Sequence, residues 1–227
     1  MTNLDLIKDS LQFPSDKMKT GLSFQEIFSY EPRPLQTLTD EISSDAIPDF
    51  TLIEATMGGG KTAAALNLAY HGLEHGKKGI LFLMPTNATT RSMSAIFDKF
   101  VSTILPPSYH SRMLGSKNRL VRVAEKGHSD KASDFSYFCT GNAQFLFPFS
   151  IMTVDQAMRA VARSKNVTQL LVEMSNKVVI FDEVHNYDPY MMEYIVRLLS
   201  WLKVYHAPVI MLSATMATSQ KRKLFSV

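Results

Sequence analysis

Residues Ala55-Thr-Met-Gly-Gly-Gly-Lys-Thr62 form a glycine run that ends in Lys-Thr, directly after the apolar segment Thr51-Leu-Ile-Glu and directly before an Ala/Leu-rich stretch from Lys61 to His75. This is the most constraining feature of the chain. Gly58, Gly59 and Gly60 can take backbone angles that turn successive N–H groups inward onto phosphate oxygens, Lys61 supplies a point charge, and Thr62 supplies a hydroxyl for Mg²⁺. The strand–loop–helix frame sets the anion against a helix N-terminus. Ala55 stands where the first glycine of the common eight-residue pattern is usual.

A second feature fixes the other wall of such a site. Lys177-Val-Val-Ile-Phe-Asp-Glu-Val-His185 places two acids at the end of an apolar, β-branched strand. In parallel α/β sheets the carboxyl ends of the strands face the ligand, so Asp182 and Glu183 are expected beside the glycine loop. Asp182 then suits Mg²⁺, and Glu183 suits the water that attacks a terminal phosphate.

The rest of the chain supports an alternating α/β fold. Strands are expected at 52–55, 80–84, 151–154, 178–181 and 209–212, with helices at 61–75, 90–104, 155–162, 167–173 and 189–205. Such alternation predicts a parallel sheet covered by helices on both faces and joined by right-handed crossovers. The 227 residues are 45% hydrophobic, with no composition break, which favours one domain. A single cysteine, Cys139, excludes a disulfide framework and a Cys-based metal site. With no signal peptide and no run of about 20 apolar residues, the sequence predicts a soluble, cytoplasmic protein without a membrane span.

The net charge of +3 conceals one basic stretch. Between residues 111 and 131, Arg112, Lys117, Arg119, Arg122, Lys126 and Lys131 outweigh Glu125 and Asp130. That segment reads equally as a track for a phosphate backbone and as a solvated face. Three polar groups sit at strand ends: Met84-Pro-Thr-Asn-Ala-Thr89, Met152-Thr-Val-Asp-Gln156 and Ser213-Ala-Thr215. The first two place Thr86, Asn87, Thr153 and Gln156 where a sugar-phosphate chain would cross the sheet. Ser213 and Thr215 are placed to hydrogen-bond the acidic strand end. Thr153 also reads as a helix cap, and His185 as a core histidine. Upstream, Pro32-Arg-Pro-Leu-Gln36 offers an amide able to pair with both edges of adenine.

In order, these segments resemble the Q, I, Ia, Ib, II and III motifs of superfamily 2 helicases. Glu54 to Leu66, together with Asp182-Glu-Val-His-Asn-Tyr-Asp-Pro-Tyr-Met191, is similar to the signature helicase-nuclease of type I CRISPR interference. The resemblance spans about residues 24–215. It implies a RecA-like P-loop domain over residues 24–227, preceded by an extension over residues 1–23. It further implies ATP and Mg²⁺ as cofactors, single-stranded DNA as track, and recruitment by an RNA-guided surveillance complex in a prokaryotic cytoplasm. By matching positions it assigns Gln36 to adenine, Gly58–Thr62 to the phosphates, Thr62 and Asp182 to the metal, and Glu183 to the attacking water. Lys61, Asp182 and Glu183 form the catalytic set. His185, Ser213 and Thr215 are assigned to coupling, and Thr86, Asn87, Thr153 and Gln156 to DNA. No His-Asp dipeptide occurs, and 12 residues follow Thr215. The expectation is therefore a first motor domain that does not itself cut DNA, with the HD nuclease and second helicase domain on adjoining or separate polypeptide.

Overall fold

The computed structural model describes residues 17–43, 46–106, 114–115 (backbone), 147–158, 171 and 174–226. Six parallel strands, β1 (Phe50–Glu54), β2 (Gly79–Met84), β3 (Leu114–Gly115), β4 (Phe149–Thr153), β5 (Lys177–Phe181) and β6 (Val209–Ser213), form one sheet in the order β1-β6-β5-β2-β4-β3. The helices are α1 (Phe24–Phe28), α2 (Pro34–Ser43), α3 (Lys61–Glu74), α4 (Asn87–Ile104), α5 (Val154–Met158), α6 (Pro189–Val204) and α7 (Thr218–Phe225). The five expected strands are all present. The expected helix 155–162 is described only as far as Met158, the helix 167–173 lies outside the described residues except Leu171, and so do the side chains of the basic stretch 111–131.

Strand alternation sorts the core into two layers. Ile80, Phe82 and Met84 of β2 face α3 and α4 with Leu66, Leu68, Phe97 and Val101, whereas Leu81 and Leu83 face α5 and α6 with Ala157, Ile195 and Leu198. Strands buried on both faces read as unbroken apolar runs, and β2, β4, β5 and β6 are buried at every position. The register brings Met84 beside Thr153, Leu83 beside Phe181, and Glu54 beside Ser213. All the motif-bearing strand ends therefore share one edge.

Local chemistry sets several boundaries. Helix α4 starts three residues earlier than expected because the Thr86 hydroxyl accepts from Thr89 N–H while Thr89 Oγ1 accepts from Thr86 N–H. Helix α6 starts at Pro189 behind Asp188, whose carboxylate accepts from Met191 N–H at 2.7 Å. Helix α2 escapes hydrophobic patterning because its inner face is polar: Gln36, Thr39 and Ser43 are buried, while Leu38 and Ile42 are exposed. Residues 17–23, part of the expected extension, pack on the domain. Met18 joins the core, Lys19 N–H donates to Ile104 O at 2.9 Å, and Leu22 N–H donates to the Tyr70 hydroxyl at 3.0 Å.

Candidate nucleotide-binding site

The glycine loop bridges β1 and α3, and its shape depends on left-handed backbone. Gly58 and Gly60 have φ of 77° and 83°, which residues with a Cβ rarely adopt. A Cβ on Gly59 would lie 3.0 Å from Thr56 O, and one on Gly60 would lie 2.2 Å from Gln36 Nε2. The loop is closed by Gly59 N–H donating to Thr56 O at 3.0 Å. Lys61 is buried, and its Nζ donates to the carbonyls of Ala55 (2.8 Å) and Thr56 (3.1 Å). The ammonium is thus folded back on its own loop.

Asp182 and Glu183 arrive from β5 on the opposite wall. Together with Gly58, Gly59, Gly60, Lys61 and Thr62 they line a cavity of about 550 Å³, whose apolar side includes Ile27, Phe28 and Tyr30. Asp182 is 9% exposed, and its carboxyl is pushed up to about 6, first by burial and then by the negative charge of Glu183. Its Oδ1 accepts from Glu183 N–H at 2.9 Å, and its carbonyl accepts from the buried Tyr187 hydroxyl at 2.9 Å. A nearly buried carboxylate with a second acid beside it and an ammonium opposite is a donor set that a divalent cation would stabilise. The residues present therefore fit Mg²⁺ together with a phosphate chain.

Glu183 itself has φ 51°, a strained position for a residue with a Cβ. Its Oε2 lies 3.2 Å from His185 Nε2. His185 Nδ1 accepts from Ala214 N–H at 3.3 Å and lies 3.3 Å from Ser213 Oγ, so the ring's remaining proton belongs on Nε2, facing Glu183. The structure thus joins His185 and Ser213 to the acid. Thr215 is exposed and stands outside this relay.

Gln36 lies against the glycine loop. It is fully buried and lies outside the described cavity lining, with Nε2 donating to Gly60 O at 3.2 Å and Oε1 accepting from Arg33 N–H at 2.8 Å. Its amide braces the loop, using one Nε2 hydrogen and one Oε1 lone pair, with a second of each remaining. Arg33 joins it, with Nη1 donating to Gly58 O at 2.8 Å. Thr86 and Asn87 are exposed at the end of β2, Thr153 is buried, and Gln156 Oε1 accepts from Thr153 N–H at 3.2 Å. Arg33, Tyr187 and Glu54 lie within the quoted segments but carry no role there that their residue types reveal; only the fold shows their contacts. Among the described residues no group of three or more metal-ligating side chains forms, and no helix is long and apolar enough to cross a membrane.

The sequence pattern of the DEAD/DEAH box helicases matches residues 40–224. The chain belongs to that family. Within it, the chain is 29% identical over 233 residues to the CRISPR-associated nuclease/helicase Cas3 of Streptococcus thermophilus, covering 96% of this chain and 25% of the relative. It is 31% identical to the CRISPR-associated endonuclease/helicase Cas3 of Thermus thermophilus, covering 94% and 25%. The crystal structure of T. fusca Cas3 with ADP superposes with a TM-score of 0.77 at 29% identity, over 92% of this chain and 24% of that one. The UvsW helicase of bacteriophage T4, at 18% identity and a TM-score of 0.52, shares the fold. The chain spans about a quarter of the length of these Cas3 relatives.

Proposed function

We propose that this chain is the ATP-binding first motor domain of a CRISPR-associated helicase that moves on single-stranded DNA after recruitment by an RNA-guided surveillance complex. One observation carries the reading: Lys61, Thr62, Asp182 and Glu183, from distant parts of the chain, line a single cavity. The T. fusca Cas3 structures bound to ADP and ATP, and the similarity to a chain in a CRISPR RNA-guided surveillance complex, support the cofactor and the partner.

In this reading residues 24–227 form the motor domain, with 17–23 packed against it. Lys61 leaves the carbonyls of Ala55 and Thr56 for the phosphates, which the Gly58–Thr62 loop surrounds. Bound Mg²⁺ supplies positive charge to the phosphoryl group, and Thr62 and Asp182 would hold it. Glu183 accepts the proton of the attacking water, oriented by the Nε2–H of His185. Ser213 and Ala214 fix that ring, so the turn after β6 senses the state of the acid. Gln36 acts through Gly60, and the apolar wall of Ile27, Phe28 and Tyr30 fits the flat face of a base. Thr86, Asn87, Thr153 and Gln156 lie along the proposed DNA path at the ends of β2 and β4, and Thr215 joins the coupling set only if the turn after β6 reorients.

Among the described residues lining the cavity the cations are Lys61 and Lys99, with no arginine. An arginine from a second motor domain is worth about 10³ to 10⁵ in rate in such enzymes. Phosphate release by residues 1–227 with Mg·ATP should therefore stay near background, and should rise with single-stranded DNA once the second domain is supplied. Stimulation by RNA in place of DNA would make the chain part of an RNA motor. Robust DNA-stimulated turnover by residues 1–227 alone would contradict the divided site.

A further inference from the structure

Glu54 ends β1 one residue before the glycine loop, and its carboxylate crosses to the segment that follows β6. Oε1 accepts from Met216 N–H at 2.7 Å, and Oε2 pairs with Lys221 of α7. The main chains meet at the same place, since Ala55 N–H donates to Ser213 O at 3.2 Å. The two carbonyls that follow Glu54, those of Ala55 and Thr56, hold Lys61 Nζ. The two residues that precede Thr215, Ser213 and Ala214, hold His185, which faces Glu183. Glu54 therefore stands between the loop that would grip phosphate and the turn that fixes the proposed relay.

We propose that Glu54 is a positioning residue that clasps the 214–217 turn to the entrance of the glycine loop, so that release of Lys61 from the Ala55 and Thr56 carbonyls is transmitted to His185 and Glu183. This rests on the reading of the cavity as an ATP site. The carboxylate is held below its ordinary range by its bonds to Lys221 and then to Met216 N–H, which keeps the clasp charged through neutral pH. A second ion pair on α7, Lys223 with Glu193 at 2.6 Å, is also exposed but is not connected to the loop, and it serves as a control.

Hydrogen exchange on the full chain tests the clasp. Glu54→Ala should speed exchange at Met216 and Ala214 by roughly three- to tenfold, as expected for one lost hydrogen bond. Glu54→Gln, which keeps the acceptor, should restore protection at Met216, and Lys223→Met should change neither amide. Adding Mg·ADP to the wild-type chain should alter exchange at 55–62, 183–187 and 213–216 together. In Glu54→Ala the first segment should respond alone. Should Glu54→Ala not fold, Lys221→Met removes the ionic half and should weaken the joint response. Unchanged exchange at Met216 and Ala214, or a joint response that survives in Glu54→Ala, would overturn the clasp. A wild-type chain with no ADP response would overturn the nucleotide reading and the coupling with it, a result distinct from loss of the clasp alone.

Discussion

The β1–β6–β5 side of the carboxyl edge gathers its polar side chains around one cavity, whereas the β2–β4 side turns many of its own into helix caps. On the first side Lys61 and Asp182 are buried, Asp182 is held far from its ordinary ionisation, and Glu183 occupies strained backbone. Such costs persist where function selects for them. On the second side Thr86 is exposed and caps α4, and Gln156 bonds the amide of Thr153. Those groups are satisfied by local structure alone. The two halves of one edge thus differ in kind: one is preorganised against its own stability, the other is relaxed.

The sharpest way to break this contrast is Glu183→Gln. In the assembled motor it should lower turnover by about 10² or more, because the water loses its base. Steady-state phosphate release checks this, and a loss of less than about threefold would remove Glu183 from the chemistry. Asp182→Asn acts on stability and with an unusual sign. Its folded carboxyl titrates near 6 against an ordinary 3.8, so the folded protein takes up the proton first. The resulting cost is present above about pH 6 and is relieved as pH falls toward 4. Asp182→Asn should therefore be more stable than the parent by about 1 to 3 kcal/mol at pH 7.5, with the gap closing by pH 4. Urea unfolding at both pH values reads it, and a gap independent of pH would refute the preorganised half.

Smaller effects sharpen the picture. Gly60→Ala combines a left-handed φ with a clash on Gln36 Nε2 and should cost about 1 to 3 kcal/mol, while Gly58→Ala, with open space around its Cβ, should cost about 1 kcal/mol for its φ alone. Adding Gln36→Ala to Gly60→Ala should recover the steric part, as thermal unfolding would report. Thr86→Ala should cost about 1 kcal/mol for the lost cap, the same size as Gly58→Ala. Unchanged stability would break the contrast, whereas weaker binding of a fluorescent DNA strand by the same variant would support the proposed DNA path.

The contrast also explains what could be read from sequence. Strands buried on both faces leave continuous apolar runs, so β2, β4, β5 and β6 are legible, and the half-buried edge strand β1 is legible from the glycine loop that follows it. Helix α2 is not, because its inward face is Gln36, Thr39 and Ser43, and periodicity of apolar residues points outward there. Helix α7 buries only Leu224 and is fixed by Lys221 on Glu54, a contact between residues far apart in the chain. The two-residue β3 is too short to show a period. Gln36 illustrates a different limit: residue type shows an amide with donors and acceptors to offer, while only the fold shows that Gly60 and Arg33 each engage one of them.

The central claim is that the Gly58–Thr62 loop and Asp182 form a Mg·nucleotide site, and calorimetric titration of the chain with Mg·ADP tests it most directly. The account predicts weak, saturable one-site binding by the wild-type chain, abolished in a Lys61→Ala protein that unfolds at nearly the same temperature. Equal binding by the two proteins would contradict it.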